Sequence, residues 1–172
     1  MKSFLNPESV LKKLNLRSDI RAADFGSGSG GWVIPLAKKL ENGKVFAIDI
    51  LEEPLSALKS KLKSANIDNV ETIQSNVEKL DGSNMFPESC DLVLITNLLF
   101  QVKDKEIVLK EAKRVLNNKG KILIVDWKEN AALGPKETIS IEETIKIAKK
   151  LSLKVEKEFE AGPCHWGLIL IK

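Results

Sequence analysis

Cysteine is scarce in this chain of 172 residues, and its two cysteines, Cys90 and Cys164, form no CxxC pair. This excludes a disulfide framework and the usual spacings of metal-binding and redox cysteines. Long apolar runs are also missing, since no stretch approaches the ~18 consecutive apolar residues of a membrane span. Near the N-terminus, Pro7 and Glu8 stand where a signal peptide would be apolar. We therefore expect a cytoplasmic protein with no membrane partner and no metal site.

A large excess of one charge is likewise absent, because 27 lysines and arginines are set against 24 aspartates and glutamates. Lysines alternate with glutamates along the predicted helices, which indicates solvated faces rather than the concentrated basic patch of a dedicated nucleic-acid binder. With 43% hydrophobic residues, the chain can bury a core. We expect a single domain over residues 1–172, with an N-terminal helical segment over 1–19.

Glycine, in contrast, is concentrated at one place, where four of the ten glycines fall within residues 26–31. This loop follows an apolar strand that ends in Asp24-Phe25, and it precedes a run with apolar residues at helical spacing over 32–40. Glycine at this density permits positive φ angles and lets the backbone lie against a flat ligand. A bare strand-to-helix turn would need fewer glycines, so the pattern predicts a cofactor-binding loop.

Strand and helix patterns alternate along the rest of the chain, and the last two strands are joined by a turn so short that they must be antiparallel. This alternation predicts an α/β fold, with one doubly wound, mostly parallel seven-stranded sheet whose last strand is antiparallel. A turn is predicted at 117–120. The predicted strands are 21–25, 44–49, 70–74, 91–96, 121–127, 153–159 and 166–171, and the predicted helices are 6–14, 31–40, 53–65, 104–116 and 140–151.

Ligands of doubly wound sheets bind outside the carboxyl ends of the strands, so the residues there are the functional candidates. His165, the only histidine, lies in the predicted turn between the last two strands, which opens on this same edge. The other candidates are Asp24 with its glycines, Asp49, the Ser75-Asn76 pair, Thr96-Asn97 and Asp126-Trp127.

The acid beside the glycine loop separates two classes of cofactor. The glycines satisfy the GxGxxG pattern of dinucleotide sites, but Asp24 would repel a pyrophosphate placed at the helix N-terminus. A carboxylate there suits a ligand that carries an ammonium group and no phosphate, such as S-adenosylmethionine. Asp49 can accept hydrogen bonds from the ribose hydroxyls of either cofactor. Tyrosine is absent, which removes the Tyr-x-x-x-Lys arrangement of many nicotinamide dehydrogenases.

Taken together, these motifs resemble the class I S-adenosylmethionine-dependent methyltransferases, especially the small members similar to quinone-biosynthesis methyltransferases. The resemblance implies a Rossmann-like methyltransferase fold and an enzyme that moves a methyl group from S-adenosylmethionine to an acceptor, leaving S-adenosylhomocysteine. It runs nearly end to end. The segments that carry it are 24–30, 45–49, 75–76, 90–100, 111–116 and 120–124.

The same resemblance implies a set of cofactor contacts. The glycines of the loop would pack on the methionine part of the cofactor, and Asp49 would hold the ribose. Ile50 would flank the adenine, whose edge would meet Asn76 and Val77. The full set implied to bind the cofactor is Asp24, Gly26, Ser27, Gly28, Gly30, Asp49, Ile50, Asn76, Val77 and Thr96.

Methyl transfer is an in-line displacement at a carbon that the sulfonium activates, so the protein mainly aligns the reactants and excludes water. If the acceptor must lose a proton, the candidate catalytic residues at the sheet edge are His165 and Asp126 as bases and Asn97 as a positioning group.

The acceptor stays open at this point: a small molecule, a protein or an RNA. The fourth strand ends in Thr96-Asn97-Leu98-Leu99 and lacks the Asn/Asp-Pro-Pro-aromatic motif of many enzymes that methylate base amino groups. Little material is available for a lid, so a large substrate or a second subunit of a homo-oligomer could cover the site. The alternatives are a domain that binds the cofactor or a partner without catalysis, and an NAD-binding oxidoreductase.

Overall fold

The computed structural model describes residues 5–129, 131 and 133–172. Seven strands form one sheet in the order β3-β2-β1-β4-β5-β7-β6. Strands β1 to β5 run parallel to one another, and β7 is antiparallel to both β5 and β6. This confirms the predicted sheet. The strands are β1 (Arg21–Phe25), β2 (Lys44–Asp49), β3 (Val70–Gln74), β4 (Cys90–Thr96), β5 (Leu116–Trp127), β6 (Lys154–Gly162) and β7 (His165–Ile171).

Helices cover both faces of the sheet, and two of them begin at residues whose side chains cap the helix. The side chain of Asn6 accepts the N–H of Ser9 at 3.0 Å, and Pro7 opens the helix that follows. Ser140 Oγ accepts the N–H of Glu143 at 3.1 Å. Both caps satisfy N–H groups that have no partner inside the helix. The helices are α1 (Pro7–Leu11), continued by a 3₁₀ turn (Lys12–Leu14), α2 (Val33–Lys39), α3 (Glu52–Ser64), α4 (Lys105–Val115) and α5 (Ile141–Lys150).

The turn predicted at 117–120 is wrong, because β5 begins at Leu116, directly after α4. The Asn117 side chain donates to Asp91 Oδ1 at 2.6 Å, and Asp91 Oδ2 accepts the N–H of Arg21 at 2.8 Å. Asp91, on β4, thus connects the start of β5 to β4 and β1. The register between β4 and β5 is irregular at this point. Local turn residues predicted a loop here, whereas contacts from distant segments form a strand.

The predicted turn at His165 is also wrong. His165 is the first residue of β7 and pairs with Trp127 on β5 and Gly162 on β6. The connection between β6 and β7 is therefore only Pro163 and Cys164. It still opens at the carboxyl end of β5, as expected.

The core lies in two layers on either side of the sheet. Alternate strand residues such as Ala22, Ala47 and Leu94 pack under α1, α2 and α3, and the intervening ones, such as Phe25 and Ile95, pack under α4 and α5. This covers β1 and β4 on both faces and explains their continuous apolar sequence. Within the described ranges, no helix combines the length and apolar character needed to cross a membrane.

Candidate functional site

The glycine loop turns back against β2. Gly26 has a φ of 73°, and its N–H and that of Ser27 donate to the carbonyl of Ile48 at 2.8 and 2.9 Å. A Cβ at Gly26 would lie 2.9 Å from Leu98 Cδ1. Both the positive φ and the close approach of Leu98 require glycine at this position. The hydrogen bonds to Ile48 thus fix the loop at the carboxyl ends of β1 and β2.

Asp49 at the end of β2 holds this loop in place. Its Oδ2 accepts the N–H of Gly28 at 2.8 Å, and its Oδ1 accepts the N–H of Leu51 at 3.0 Å. One carboxylate therefore joins the glycine loop to the start of α3. Each oxygen has a second acceptor site, so the group is also able to accept hydroxyl donors from a ligand.

Asp24 lies beneath the loop and is buried, with only 1% of its surface exposed. Neither carboxyl oxygen has a hydrogen-bond partner among the described residues. Its partners in register are Ala47 and Leu94, which offer no polar side chain. Burial, with a further contribution from the charge of Asp49, raises the pKa of Asp24 to about 8. The carboxyl is therefore mostly protonated at pH 7.

A cavity of about 300 Å³ opens beside these residues. Six of the ten predicted cofactor residues line it: Gly26, Gly28, Asp49, Ile50, Asn76 and Val77. Asp24 is buried below the loop, and Ser27 and Thr96 are each 6% exposed. Gly30 does not line the cavity and instead packs toward α3, where a Cβ would meet Leu58. The structure thus brings most of the predicted set to one place.

The cavity also has a wall that the sequence did not predict. Leu98, Gln101 and Val102, from the connection between β4 and α4, line it together with the glycine loop. Gln101 Nε2 donates to the carbonyl of Asn97 at 3.0 Å, which orders this connection. No motif distinguishes these residues, although their position just after a strand end was an available signal.

The two ends of the cavity differ in polarity. At the mouth, Ile50 and Leu51 are 53% and 60% exposed, so they offer an apolar edge. Farther along, Asn76 Oδ1 accepts the N–H of Glu78 at 2.9 Å, which fixes the backbone after β3. Val77 is buried beside it. A flat, partly apolar ring with polar edges suits this arrangement.

Asp126, predicted as a base, is fully buried and its oxygens are occupied. Oδ2 accepts the N–H groups of Leu99 at 2.9 Å and Phe100 at 3.3 Å, and Oδ1 accepts that of Trp127 at 2.8 Å. Burial raises the pKa of Asp126 to about 6, although the three backbone hydrogen bonds oppose the rise. The side chain ties the β4–α4 connection to β5 and does not line the cavity.

His165 and Asn97 lie at the same edge, near the end of β5. His165 is fully buried, with its ring centroid 4.2 Å from that of Trp127. Burial and the charge of Lys128 lower the pKa of His165, so its imidazole is neutral at pH 7. Asn97 has a φ of 50°, and its N–H donates to the carbonyl of Val125 at 2.8 Å. Neither side chain lines the cavity.

A larger groove, of about 640 Å³, lies at the opposite edge of the sheet, between residues 14–20 and 117–121. It contains none of the predicted site residues. Its carboxylate, Asp91, is already bonded to Arg21 and Asn117. The chemistry that the sequence predicts therefore belongs to the smaller cavity at the carboxyl edge.

Comparison with known proteins agrees with this geometry. A family model described as a methyltransferase domain matches residues 16–165. The chain belongs to this methyltransferase family. Family membership sets aside the alternative of an NAD-binding oxidoreductase, and S-adenosylmethionine is the cofactor that the family and its solved members imply.

Relatives of this methyltransferase domain include demethylmenaquinone methyltransferases. The protein from Geobacillus kaustophilus (strain HTA426) is 31% identical over 129 residues, which are 74% of this chain and 53% of that protein. The protein from Staphylococcus aureus (strain MRSA252) is 29% identical over 154 residues, covering 88% of this chain and 62% of that one. The chain spans about half the length of the first of these relatives.

Solved structures extend the comparison to nearly the whole fold. A SAM dependent methyltransferase from Aquifex aeolicus superposes with a TM-score of 0.89 at 28% identity, covering 98% of this chain and 91% of that one. A structure of SAM-dependent methyltransferases from Methanosarcina mazei has a TM-score of 0.75 at 19% identity, covering 94% and 96%. The second similarity concerns the fold alone. Together they confirm the predicted Rossmann-like methyltransferase fold.

Proposed function

We propose that this protein binds S-adenosylmethionine in the cavity beside the glycine loop and transfers its methyl group to an acceptor. The observation that carries the proposal is the buried carboxyl of Asp24, which has no partner among the described residues and lies below a loop shaped by Gly26 and Asp49. An unpartnered buried carboxyl is costly unless a ligand completes it. The ammonium of the cofactor's amino acid part is such a ligand.

The remaining cavity residues match the other parts of the cofactor. Asp49 has acceptor capacity left for the ribose hydroxyls, and it is fixed by its bonds to the loop. Ile50 and Val77 offer apolar contact to the adenine ring, and Asn76 lies at its edge. Besides Asp24, three predicted cofactor residues do not line the cavity: Ser27, Gly30 and Thr96. We propose that they affect cofactor binding indirectly, through the surroundings of the glycine loop.

The cofactor supplies a methyl group already activated by a sulfonium, and the chain supplies alignment and a site shielded from water. Asn97 and His165 lie at the carboxyl edge where an acceptor would approach. We keep His165 as the proposed base: its imidazole is neutral at pH 7 but fully buried, so an acceptor would have to displace the residues that cover it. Because Asp126 is saturated by backbone N–H groups, we give it the role of anchoring the β4–α4 connection.

The acceptor is a separate proposal. The relatives are named demethylmenaquinone methyltransferases, so we take demethylmenaquinone as the first acceptor to test. The exposed apolar residue Leu133, in the connection after β5, is consistent with an apolar acceptor. We also keep as predictions that residues 1–172 form a single domain with its helical segment at 1–19, that the protein is cytoplasmic, and that a second subunit could supply a lid.

Calorimetric titration tests the cofactor assignment. We expect S-adenosylmethionine and S-adenosylhomocysteine to bind with micromolar dissociation constants, and NAD to bind far more weakly. Asp49→Ala should lose about 1–3 kcal/mol of binding free energy, because charge-assisted hydrogen bonds disappear. Asp68→Ala is the matched control, since Asp68 is exposed in the connection before β3 at the opposite edge. Equal or tighter binding of NAD would refute the assignment.

Catalysis requires a second measurement. With labelled S-adenosylmethionine, we expect transfer of label to demethylmenaquinone or to a member of a panel of small molecules, proteins and RNA. Binding of the cofactor without transfer to any of them would favour the alternative of a non-catalytic binding domain.

A further inference from the structure

Two carboxyl groups lie close enough beneath the glycine loop to affect each other's ionisation. Asp49 is fixed by the N–H groups of Gly28 and Leu51, which stabilise its charged form. Asp24 receives no such hydrogen bond from the part of the chain that the structure describes, and it is closed off from water. A negative charge on Asp24 would be disfavoured both by its burial and by the negative charge of Asp49. The cofactor-free site thus holds one charged and one neutral carboxyl.

We propose that binding of the cofactor expels one proton from Asp24, so that the site favours ligands that bring an ammonium group. This inference rests on the proposed function. A ligand ammonium beside the carboxyl would stabilise its charged form, whereas a ligand without that group would leave the carboxyl neutral. The proton passes to solvent, and no bond of the ligand changes.

No cation among the described residues lowers the pKa of Asp24. Its register partners, Ala47 on β2 and Leu94 on β4, are apolar. On α3, the ammonium of Lys61 donates to the carbonyl and hydroxyl of Ser29, at 2.9 and 3.0 Å. Asp49 is the charged group that raises the pKa of Asp24, in addition to burial.

Two further groups near the end of β5 also titrate, and any measurement must distinguish their protons from that of Asp24. Asp126 has a pKa raised to about 6, and the pKa of His165 is lowered, so both change charge in acid. Each is tied into the end of β5 or β7 and does not line the cavity. A variant at Asp24 leaves both groups in place.

The expected consequence is a coupling between affinity and pH. The pKa of Asp24 is about 8 in the absence of ligand, so at pH 6.5 nearly every molecule carries the proton. Binding then releases about one proton, and affinity should rise about tenfold per pH unit from pH 6 to pH 7.5. Above the pKa of Asp24 the rise should cease, because the proton has already left.

The experiment is calorimetric titration at pH 6.5 in buffers that differ in ionisation enthalpy, with two ligands. For S-adenosylhomocysteine, the dependence of the observed heat on buffer should correspond to release of about one proton. For 5′-methylthioadenosine, which has the adenosine part without the amino acid, it should be close to zero. This pair of ligands tests the unmodified protein, so the result does not depend on whether a variant folds.

Variants then identify the residue that releases the proton when the ligand binds. In Asp24→Asn, S-adenosylhomocysteine should bind roughly 10- to 100-fold more weakly at pH 7.5, with no release of a proton. Asp68→Asn, an exposed control, should behave as the unmodified protein. Proton release that persists in Asp24→Asn would overturn the inference, as would tight binding to the unmodified protein with no release. If neither ligand binds, the proposed function fails and the inference fails with it.

Discussion

Removal of the Glu111 side chain is expected to destabilise the fold by about 2–5 kcal/mol, because it would remove the buried counter-ion of Arg114 and the acceptor of two backbone N–H groups. Glu111 lies on α4 and is fully buried. Its carboxylate accepts hydrogen bonds from Arg114 Nε at 2.8 Å and Arg114 Nη2 at 2.7 Å. It also accepts the N–H groups of Asp81 and Ser83, each at 3.0 Å.

The magnitude follows from what Glu111→Ala would leave behind. Arg114 has a side chain only 21% exposed, so its guanidinium would lose its buried counter-ion and keep only the exposed carboxylate of Asp81, 3.0 Å from its Nε. Two backbone N–H groups would also lose their acceptor, at about 1–3 kcal/mol each where water does not replace it. Glu111→Gln keeps one acceptor oxygen and should cost less, about 1.5–3 kcal/mol. The same bonds anchor the β3–β4 connection, so cofactor affinity should fall in the Ala variant.

The assay is urea unfolding followed by circular dichroism, with Glu106→Ala as the matched control. Glu106 lies on the same helix, but it is exposed and 3.6 Å from Lys150 at the surface. A surface pair of this kind contributes about 0–1 kcal/mol. If Glu111→Ala loses no more stability than Glu106→Ala, the buried network does not hold this connection and the reasoning is wrong.

The pH dependence gives an independent check. Burial would raise the pKa of Glu111, but hydrogen bonds from Arg114 and Ser83 outweigh burial, so the pKa lies below its ordinary value. A carboxyl whose pKa is lowered by folding stabilises the protein above its unfolded pKa, and this contribution is lost as the pH falls through the folded pKa. The difference in stability between the unmodified protein and Glu111→Gln should therefore shrink in acid and be constant above about pH 6.

Two further predictions concern the site. Gly26→Ala should lose about 1–2 kcal/mol of stability from its positive φ and weaken cofactor binding by the clash with Leu98. Gly31→Ala, which has open space for a Cβ, should cost less than half as much in unfolding assays. His165→Ala should reduce turnover by roughly 10²–10⁴-fold while cofactor affinity stays within about twofold, provided His165 is the base. Turnover within a few-fold of the unmodified protein would make His165 a structural residue.

Much of the sheet could be predicted because its signals are local. The observed bounds of β1, β2 and β3 equal the predicted ones, since turn residues in the sequence bound each of these segments. The parallel order then places the ends of these strands at one edge. For this reason Gly26, Asp49 and Asn76 meet at one cavity although they are distant in sequence.

Predictions failed or were incomplete where distant contacts decide the outcome. Residues 117–120 have turn composition, yet the bonds of Asp91 bring them into β5. Leu98 has no distinguishing motif, and its place over Gly26 depends on how the β4–α4 connection crosses the sheet. Asp126 is a strand-end acid like Asp49, but three backbone N–H groups occupy it.

The order of strands and helices along the chain, the glycine loop and the acidic strand ends are all readable from the sequence, because periodicity, glycine spacing and turn residues act over short distances. The ionisation of each acid depends on the folded structure, because it is set by burial and by neighbours from other strands. Asp24 and Asp49 are the same residue type at neighbouring strand ends. The fold buries Asp24 with no hydrogen-bond partner in the described ranges and gives Asp49 two N–H donors, so the two carboxyl groups differ in ionisation.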